Sequence, residues 1–370
     1  MECATLGVEE EYLVVDAETL ELVPRSHELL GAARPELGDE VTPELNLCQI
    51  EVGTPVCNGL DEVELHLTRL RHGLAAAGEP LGLAAAATAT HPVTSWRHQQ
   101  IDVSNERYSR MDDTYQIVAR QQVICGCHVH VGIDDPDLVV AVMNRVRPWM
   151  PSLLALTANS PFWRGLDSGF DSYRLQVWQR WPMSGMQPEL ANRQEFDDLV
   201  ETLEAADAIE DSSFLYWYAR PSAHYPTLEF RIADVCLDVE DAVALAGLAR
   251  NLAWTCAAQE RAGLPMVTPP AEVMEAAAWR AARYGLSDSL ISCETSTPQP
   301  AADVIGELLS FIRDGLDHHG DTERVTSSVK QILARGNGAT RQRRMAEAGG
   351  DLRDVVRGIL RDSVPPAVGA

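Results

Sequence analysis

Leu6-Gly-Val-Glu-Glu-Glu-Tyr-Leu-Val-Val15 mixes acidic and apolar side chains in a pattern that makes sense only on a strand. Successive side chains of a strand point to opposite faces, so residues two apart share a face. Glu9 and Glu11 therefore stand together, while Val8, Tyr12 and Val14 share the other face with Glu10. Two further segments repeat the arrangement. In Val123–Ile133, His128 and His130 share a face with Gly126 and Gly132, against Val123, Cys125, Cys127, Val129, Val131 and Ile133. In Thr227–Ile232, Glu229 and Arg231 share a face with Thr227, against Leu228, Phe230 and Ile232. A fourth segment, Val41–Thr54, carries Glu44 and Glu51 seven residues apart. Strict alternation would send those two to opposite faces, so a bend or bulge is required for them to converge.

One acidic pair on a strand ordinarily marks a solvated face. Three strands with ionisable residues on one face and an apolar reverse face imply a shared site. The expected assembly is α+β: an antiparallel sheet with helices on one face and an open face studded with Glu9, Glu11, His128 and Glu229. Carboxylates gathered in this way repel one another and need cations or raised pKa values. Oxygen donors with an occasional imidazole suit Mg²⁺ or Mn²⁺ better than Zn²⁺. A hard divalent site flanked by arginine is what phosphoryl transfer from a nucleotide requires.

Helices should cover the sheet. Leu60, Val63, Leu67, Leu70 and Leu74 recur at helical spacing in Leu60–Gly78, with Asn58 as the expected cap. Further helices are expected from Asp135-Pro136 to just before Pro148, and over Val239–Ala262, Ala271–Arg283, Ala302–Leu316 and Thr322–Ala334. Pro148–Gly185, rich in proline, glycine and tryptophan, reads as irregular chain whose aromatics either line a pocket or pack a long loop. Ser292–Pro300 reads as a connector, and Pro365–Ala370 as a frayed tail. The whole of 1–370 is expected to form one catalytic domain.

The 370 residues carry 30 basic and 55 acidic side chains, a formal net charge of −25. Such a surface repels nucleic acid and anionic membranes. Lys330 is the sole lysine; no GxxxxGK phosphate loop exists, and a Schiff-base lysine is close to excluded. Met1-Glu2-Cys3 opens no secretory signal, and no stretch is apolar enough to span a bilayer. Eight scattered cysteines suit reduced thiols in a cytoplasm. Cys125-Gly-Cys127-His128-Val-His130 invites a zinc reading, but alternation points the thiols away from the imidazoles and into the core. Arg335-Gly-Asn-Gly-Ala-Thr-Arg-Gln-Arg-Arg344 is either a phosphate clamp or a capped helix end followed by another helix.

These segments, taken in order, resemble a known family. Gly7-Val-Glu-Glu-Glu-Tyr12, Glu44 with Gln49-Ile-Glu-Val-Gly-Thr54, Gly126-Cys-His-Val-His-Val131, Ala158-Asn-Ser-Pro-Phe-Trp163, Ser172-Tyr-Arg174 and Pro226-Thr-Leu-Glu-Phe-Arg231 are similar to motifs of the type 2 glutamate–cysteine ligases. Gly338-Ala…Arg341-Gln-Arg343 fits as well. These are carboxylate–amine ligases of the glutamine-synthetase-like superfamily. The resemblance implies a curved antiparallel sheet and an ATP-dependent reaction: the γ-carboxylate of glutamate is phosphorylated, and an amine, cysteine by default, displaces the phosphate. It implies one Mg²⁺ on Glu11, Glu44 and Glu51 and another on Glu9, His128 and Glu229. It further implies Arg231 and Glu229 as catalytic residues, Arg174, His130 and Arg341 as substrate or nucleotide contacts, and assembly as a homo-oligomer. Two rivals stay open at this stage: a non-catalytic metal- or nucleotide-binding protein on the same scaffold, and a zinc hydrolase built on Cys125–His130.

Overall fold

Residues 4–366 are described by the computed structural model; of the expected tail, 367–370 lie outside the described residues. The acidic opening stretch is strand β1, Leu6–Asp16. It is joined by β2 (Val41–Pro43), β3 (Gln49–Gly53), β4 (Leu83–Ala86), β5 (Cys127–Gly132), β6 (Ala219–Pro221) and β7 (Thr227–Phe230). Together they form an open seven-stranded sheet in the order β6-β7-β5-β1-β3-β2, with β4 pairing the end of β1. Every pairing in this sheet is antiparallel. Glu44 and Glu51 are brought together by a complete reversal rather than a bulge. The chain turns between β2 and β3, which then pair with Thr42 opposite Glu51.

The apolar faces are buried as the alternation requires. Val8, Val129, Val131, Leu228 and Phe230 are each at most 2% exposed. They pack under the helices Pro136–Val146 and Val239–Arg261 in one continuous core. The second helix is rich in alanine, starts where the Asp238 carboxylate accepts the Asp241 N–H, and is buried along most of its length. Helix Pro136–Val146 is capped by Asp135, with proline at the first position, where its missing N–H costs nothing. Helix Leu60–Gly78 matches expectation except at its cap. Gly59 occupies that position, and the Asn58 N–H instead donates to the Glu62 carboxylate at 2.8 Å.

Other boundaries differ. Pro148–Gly185 is less irregular than its composition suggests: Met150–Thr157 is a wholly buried helix, with Pro151 in its first turn. Ala302–Leu316 is two helices, Ala301–Phe311 and Arg313–His319, parted at Ile312. Beyond the break, Gly315 lies so close to the Asn251 carbonyl that a Cβ would stand 2.9 Å from it. The connector at Ser292–Pro300 closes a short ribbon between Ser289–Ile291 and Pro298–Pro300.

The apolar face of β1 contains one charge. Glu10, fully buried, receives the Arg71 guanidinium in a forked pair at 2.5 and 3.0 Å, and the Tyr12 hydroxyl donates to the same carboxylate. Arg71 also donates to the carbonyls of Cys236, Leu237 and Ser363, joining the sheet to the helix Leu60–Gly78 and to the end of the chain's last helix, Leu352–Ser363. Removing one partner of such a pair strands a buried charge. Arg71→Leu is therefore expected to lower the unfolding free energy by about 3–5 kcal/mol in urea denaturation, and Glu10→Leu combined with Arg71→Leu to recover most of that loss.

Candidate active site

Backbone pairing fixes the open face. Glu9 lies opposite His128 on one side and Gly53 on the other, and Glu11 lies opposite Glu51. β7 sets Glu229 opposite His130, and β6 sets Arg220 opposite Glu229. With Glu44, the ionisable residues of these pairs line a cleft of about 360 Å³. Aromatic side chains form part of its wall. Trp181 stacks on Tyr216 with ring centres 5.0 Å apart, and Trp178 and Tyr108 also face the cleft. Trp149 instead stacks on Phe311 in the core.

The face is electrostatically uneven. At the β5–β7 side, the negative charge is balanced. His128 Nδ1 is 3.4 Å from Glu9 and 4.0 Å from Glu229, and His130 Nε2 is 3.4 Å from Glu9. Burial raises the Glu9 pKa, but the hydrogen bonds and charges of both histidines outweigh it and hold Glu9 well below the ordinary value. Glu229 is likewise buried yet held low by Arg231 and Arg220, the second at 2.8 Å. Burial drives His128 down, with Arg231 adding to the effect, whereas the contact with Glu9 outweighs burial and raises His130.

At the β1–β3 side, the charge is not balanced. Burial, reinforced by Glu11, pushes Glu44 up to about 7. Burial and the repulsion of Glu9, Glu44 and Glu11 push Glu51 well above its usual range. The protein's own contacts there are few: the Leu45 N–H to Glu44 at 2.8 Å, and the Thr42 hydroxyl to Glu51 at 3.2 Å. Glu11 accepts the Gly126 N–H at 2.6 Å.

Among the described residues, three sets of donors have ligand atoms within 4.8 Å of one another: Glu11, Glu44 and Glu51; Glu9, His130 and Glu229; and Glu9, Glu51 and His128. The first matches the expected set. The other two divide the expected Glu9–His128–Glu229 group differently and bring in His130 as a possible ligand. His130 Nδ1 is engaged by the Thr227 hydroxyl at 2.8 Å, while its buried Nε2 meets only the Glu9 carboxylate, at 3.4 Å. Carboxylate-rich donors, an imidazole nitrogen aimed among them and uncompensated negative charge all fit a hard divalent cation. No cysteine enters any of the sets. Cys125 and Cys127 are fully buried core residues, and burial raises the Cys125 thiol.

Two arginines named from the sequence occupy different kinds of position. Arg174 reaches the cleft wall beneath Gly126, where a Cβ would lie 2.4 Å from its Nη2. Its guanidinium donates to the Ile232 and Arg231 carbonyls and lies over Trp178, so it supports the backbone that carries Arg231. Arg341 does not line the cleft. It pairs with Asp238 at 2.5 Å and with Asp362 at 3.0 Å. The neighbouring arginines are paired too, Arg335 with Asp241 and Arg343 with Asp167 and Asp171. Arg335–Arg344 is thus a helix end, a Gly336–Asn337 break and the start of the helix Gly338–Gly349, not a phosphate clamp.

The sequence reading missed Arg220, Arg107 and Asp234. Arg220 could have been found by reading Ala219–Pro221 as the hairpin partner of Thr227–Phe230. Asp234 had no local signal. Fully buried, it accepts the Asn159 N–H and the hydroxyls of Ser160 and Ser172, and it stands 3.9 Å from Arg174. The Asn159 side chain in turn receives Gln342, and Gly338 packs so tightly on Asn159 that a Cβ would stand 2.2 Å from its Oδ1. Three motifs distant in sequence are therefore one buried network behind Arg231.

An open antiparallel sheet with helices on one face and acids on the other is the architecture of the glutamine-synthetase-like, amide-forming ligases. The chain belongs to the glutamate–cysteine ligase family 2, whose model matches residues 5–360. It is 41% identical to "Putative glutamate--cysteine ligase 2-2" of Frankia casuarinae over 98% of its length, spanning 42% of that protein. It is 38% identical to "Putative glutamate--cysteine ligase 2" of Rhodopirellula baltica, covering 98% of both chains. Its fold matches that of a glutamate–cysteine ligase from Francisella tularensis, solved in complex with AMP. The TM-score is 0.75 at 13% identity, with 100% of this chain and 90% of that one covered. It also matches a bifunctional glutathione synthetase from Pasteurella multocida, with a TM-score of 0.69 at 16% identity, over 97% of this chain and 52% of that one.

The raised pKa values of Glu44 and Glu51 give a pH signature. From 4.5, the unfolded value, up to about 7, the folded chain holds protons that the unfolded chain has released. The contribution of these groups to stability is therefore greatest below that window and falls as pH rises through it. A bound divalent cation removes the penalty. Millimolar Mg²⁺ is expected to raise the melting temperature little at about pH 5 and by several degrees at about pH 8, read in thermal unfolding scans.

Proposed function

We propose that the protein is an ATP-dependent carboxylate–amine ligase that activates the γ-carboxylate of L-glutamate and joins it to an amine, with L-cysteine the first candidate. The observation that carries this reading is the single face on which two acidic donor clusters and Arg231 stand together. On this reading Glu11, Glu44 and Glu51 hold one Mg²⁺ or Mn²⁺, and Glu9 and Glu229 with His130 or His128 hold another. The ions would neutralise the triphosphate and the developing charge on the transferred phosphoryl group.

The substrates supply the covalent chemistry. A γ-carboxylate oxygen attacks the terminal phosphorus of ATP and ADP leaves. The amine nitrogen then attacks the acyl phosphate, losing a proton and expelling phosphate as the amide forms. The protein's part is to position and to stabilise charge. Arg231 stabilises the transferring phosphoryl group, oriented by its ion pair with Glu229 and by the Tyr218 carbonyl, which accepts its backbone N–H at 2.8 Å. Arg220 grips the other side of Glu229 and keeps that carboxylate ionised. The sheet's own hydrogen bonds fix these groups before substrate arrives.

We place this activity in the cytoplasm, where ATP is available and where seven buried, unpaired cysteines among the described residues would remain reduced. No helix among the described residues is long and apolar enough to cross a membrane. The test follows ADP release with glutamate, Mg²⁺ and a panel of amines, cysteine first. Amide-forming turnover with at least one amine is expected; its absence across the panel in protein that binds MgATP would refute the reading for those substrates. Glu9→Gln and Glu229→Gln are each expected to lower kcat by about 100-fold or more. Circular dichroism should stay unchanged for Glu9→Gln, the more exposed of the two.

A further inference from the structure

Arg231 stands at an irregularity of the sheet. β7 pairs with β5 in regular register as far as Phe230 opposite Val129, and pairing resumes with Asp234 opposite Gly126. Residues 231–233 on one strand therefore face only 127–128 on the other, so the β7 side carries one extra residue, a β-bulge. On the β6 side the register is unbroken: Phe230 lies opposite Ala219, and the Arg231 N–H donates to the Tyr218 carbonyl. A bulge bends its strand and re-aims a side chain, and the backbone groups it takes out of the ladder must be satisfied elsewhere when buried. The fork of Arg174 supplies the partners. Its Nη1 donates to the Ile232 carbonyl at 3.1 Å and its Nη2 to the Arg231 carbonyl at 3.2 Å. Gly126 on one side and the Trp178 ring on the other keep the guanidinium in that place.

Asp234 closes the bulge and is tied to the same arginine. Its carboxylate stands 3.9 Å from Arg174 Nη1 and accepts the hydroxyls of Ser160 at 2.6 Å and Ser172 at 2.8 Å. Both serines in turn hold the backbone around Arg174. The Ser160 hydroxyl accepts the Arg174 N–H at 3.0 Å, and Ser172 caps the helix Tyr173–Trp178 by accepting the Leu175 N–H at 3.4 Å. Asp234 is wholly buried and does not line the cleft, so any effect it has on a reaction there passes through its neighbours. Resting on the ligase reading for the task of Arg231, we propose that Asp234 is a positioning residue for phosphoryl transfer. Its charge holds Arg174 against the bulge, and the bulge so held aims Arg231 at the transferring phosphoryl group.

Two measurements on the full chain test this: ADP release with Mg²⁺, glutamate and the amine that supports turnover, and local hydrogen exchange read by mass spectrometry. The proteins compared are wild type, Asp234→Asn, Arg174→Lys and the double variant. Asp234→Asn keeps the shape and removes the charge; it is expected to lower kcat by about 10- to 100-fold while KM for ATP and for glutamate stays within about twofold. Arg174→Lys keeps a charge without the fork and should lose a similar factor, and the double variant should be no more than about twofold slower than the slower single variant, because both changes release the same pair of carbonyls. If Asp234→Asn does not fold, Ser172→Ala removes one donor to Asp234 and should lower kcat by about three- to tenfold with the same KM pattern. Fragments covering 231–236 should lose protection against exchange in the Asp234 or Ser172 variant while those covering β1 keep theirs. The proposal is overturned if Asp234→Asn retains the wild-type kcat, if the two losses multiply in the double variant, or if the main effect of Asp234→Asn is a raised KM for glutamate, which would place Arg174 on the substrate instead of on the backbone. Failure of the ligase reading is distinguishable, since it appears as wild-type protein that releases no ADP with any amine. Exchange then still decides whether Asp234 holds the bulge, and unchanged protection over 231–236 would refute it.

Discussion

Like charges held at fixed spacing by a backbone ladder are the constraint from which the rest of this structure follows. β1 pairs with β3 and β5 in a register that leaves Glu9, Glu11 and Glu51 no freedom to separate along the sheet. A one-residue slip would turn these acids into the core and Glu10 with the valines to solvent. The apolar reverse face forbids that slip, so the same hydrophobic burial that stabilises the domain also forces the acids together. The two halves of the face respond differently. On the β5–β7 side, histidines and arginines keep Glu9 and Glu229 ionised; on the β1–β3 side nothing comparable offsets Glu44 and Glu51. That deficit is what a resident cation would fill.

The reverse face shows how the protein treats a charge it keeps for structure. Glu10 is sealed, with Arg71 and Tyr12 occupying its lone pairs and Arg71's remaining donors engaged by carbonyls. Asp234 is handled similarly, with hydroxyl and N–H donors around it and Arg174 nearby. In both places the polar groups find their partners inside the protein. The open face is matched less completely: His130 Nε2 meets only the Glu9 carboxylate, at 3.4 Å, and the Arg107 side chain donates to the Ser213 hydroxyl rather than to a carboxylate. Glu10 and Asp234 are thus matched by the scaffold itself, whereas these two groups face the cleft.

Much of the site was legible because strand alternation is a local rule. Glu9, Glu11, His128, His130, Glu229 and Arg231 could be assigned to one face without knowing which strands were neighbours, and the two cysteines could be assigned to the other. Glu44 was the limit of that method: its convergence with Glu51 depends on a chain reversal that alternation alone does not specify. Arg341 marks a different limit. Its motif marked a real constraint, but the constraint is the packing of Gly338 and Gln342 on Asn159, and the arginine itself is bound to Asp238 and Asp362. Motif order could not separate a residue that meets substrate from one that holds a helix in place.

By itself, then, the sequence determined the two-faced character of the strands, the acidic identity of the open face and the family, because these follow from side-chain period and from the order of short motifs along the chain. Only the tertiary structure decided which acids come within ligand distance of one another, that His130 stands among them, that Arg220 backs Glu229 and that Arg107 reaches the cleft with no carboxylate partner among the described residues. Those outcomes depend on distances across strands and loops far apart in the chain, where a shift of a few ångströms separates a salt bridge from a free guanidinium. Electrostatic pairing falls off with distance and is settled by three-dimensional neighbours, which no local pattern of residues encodes.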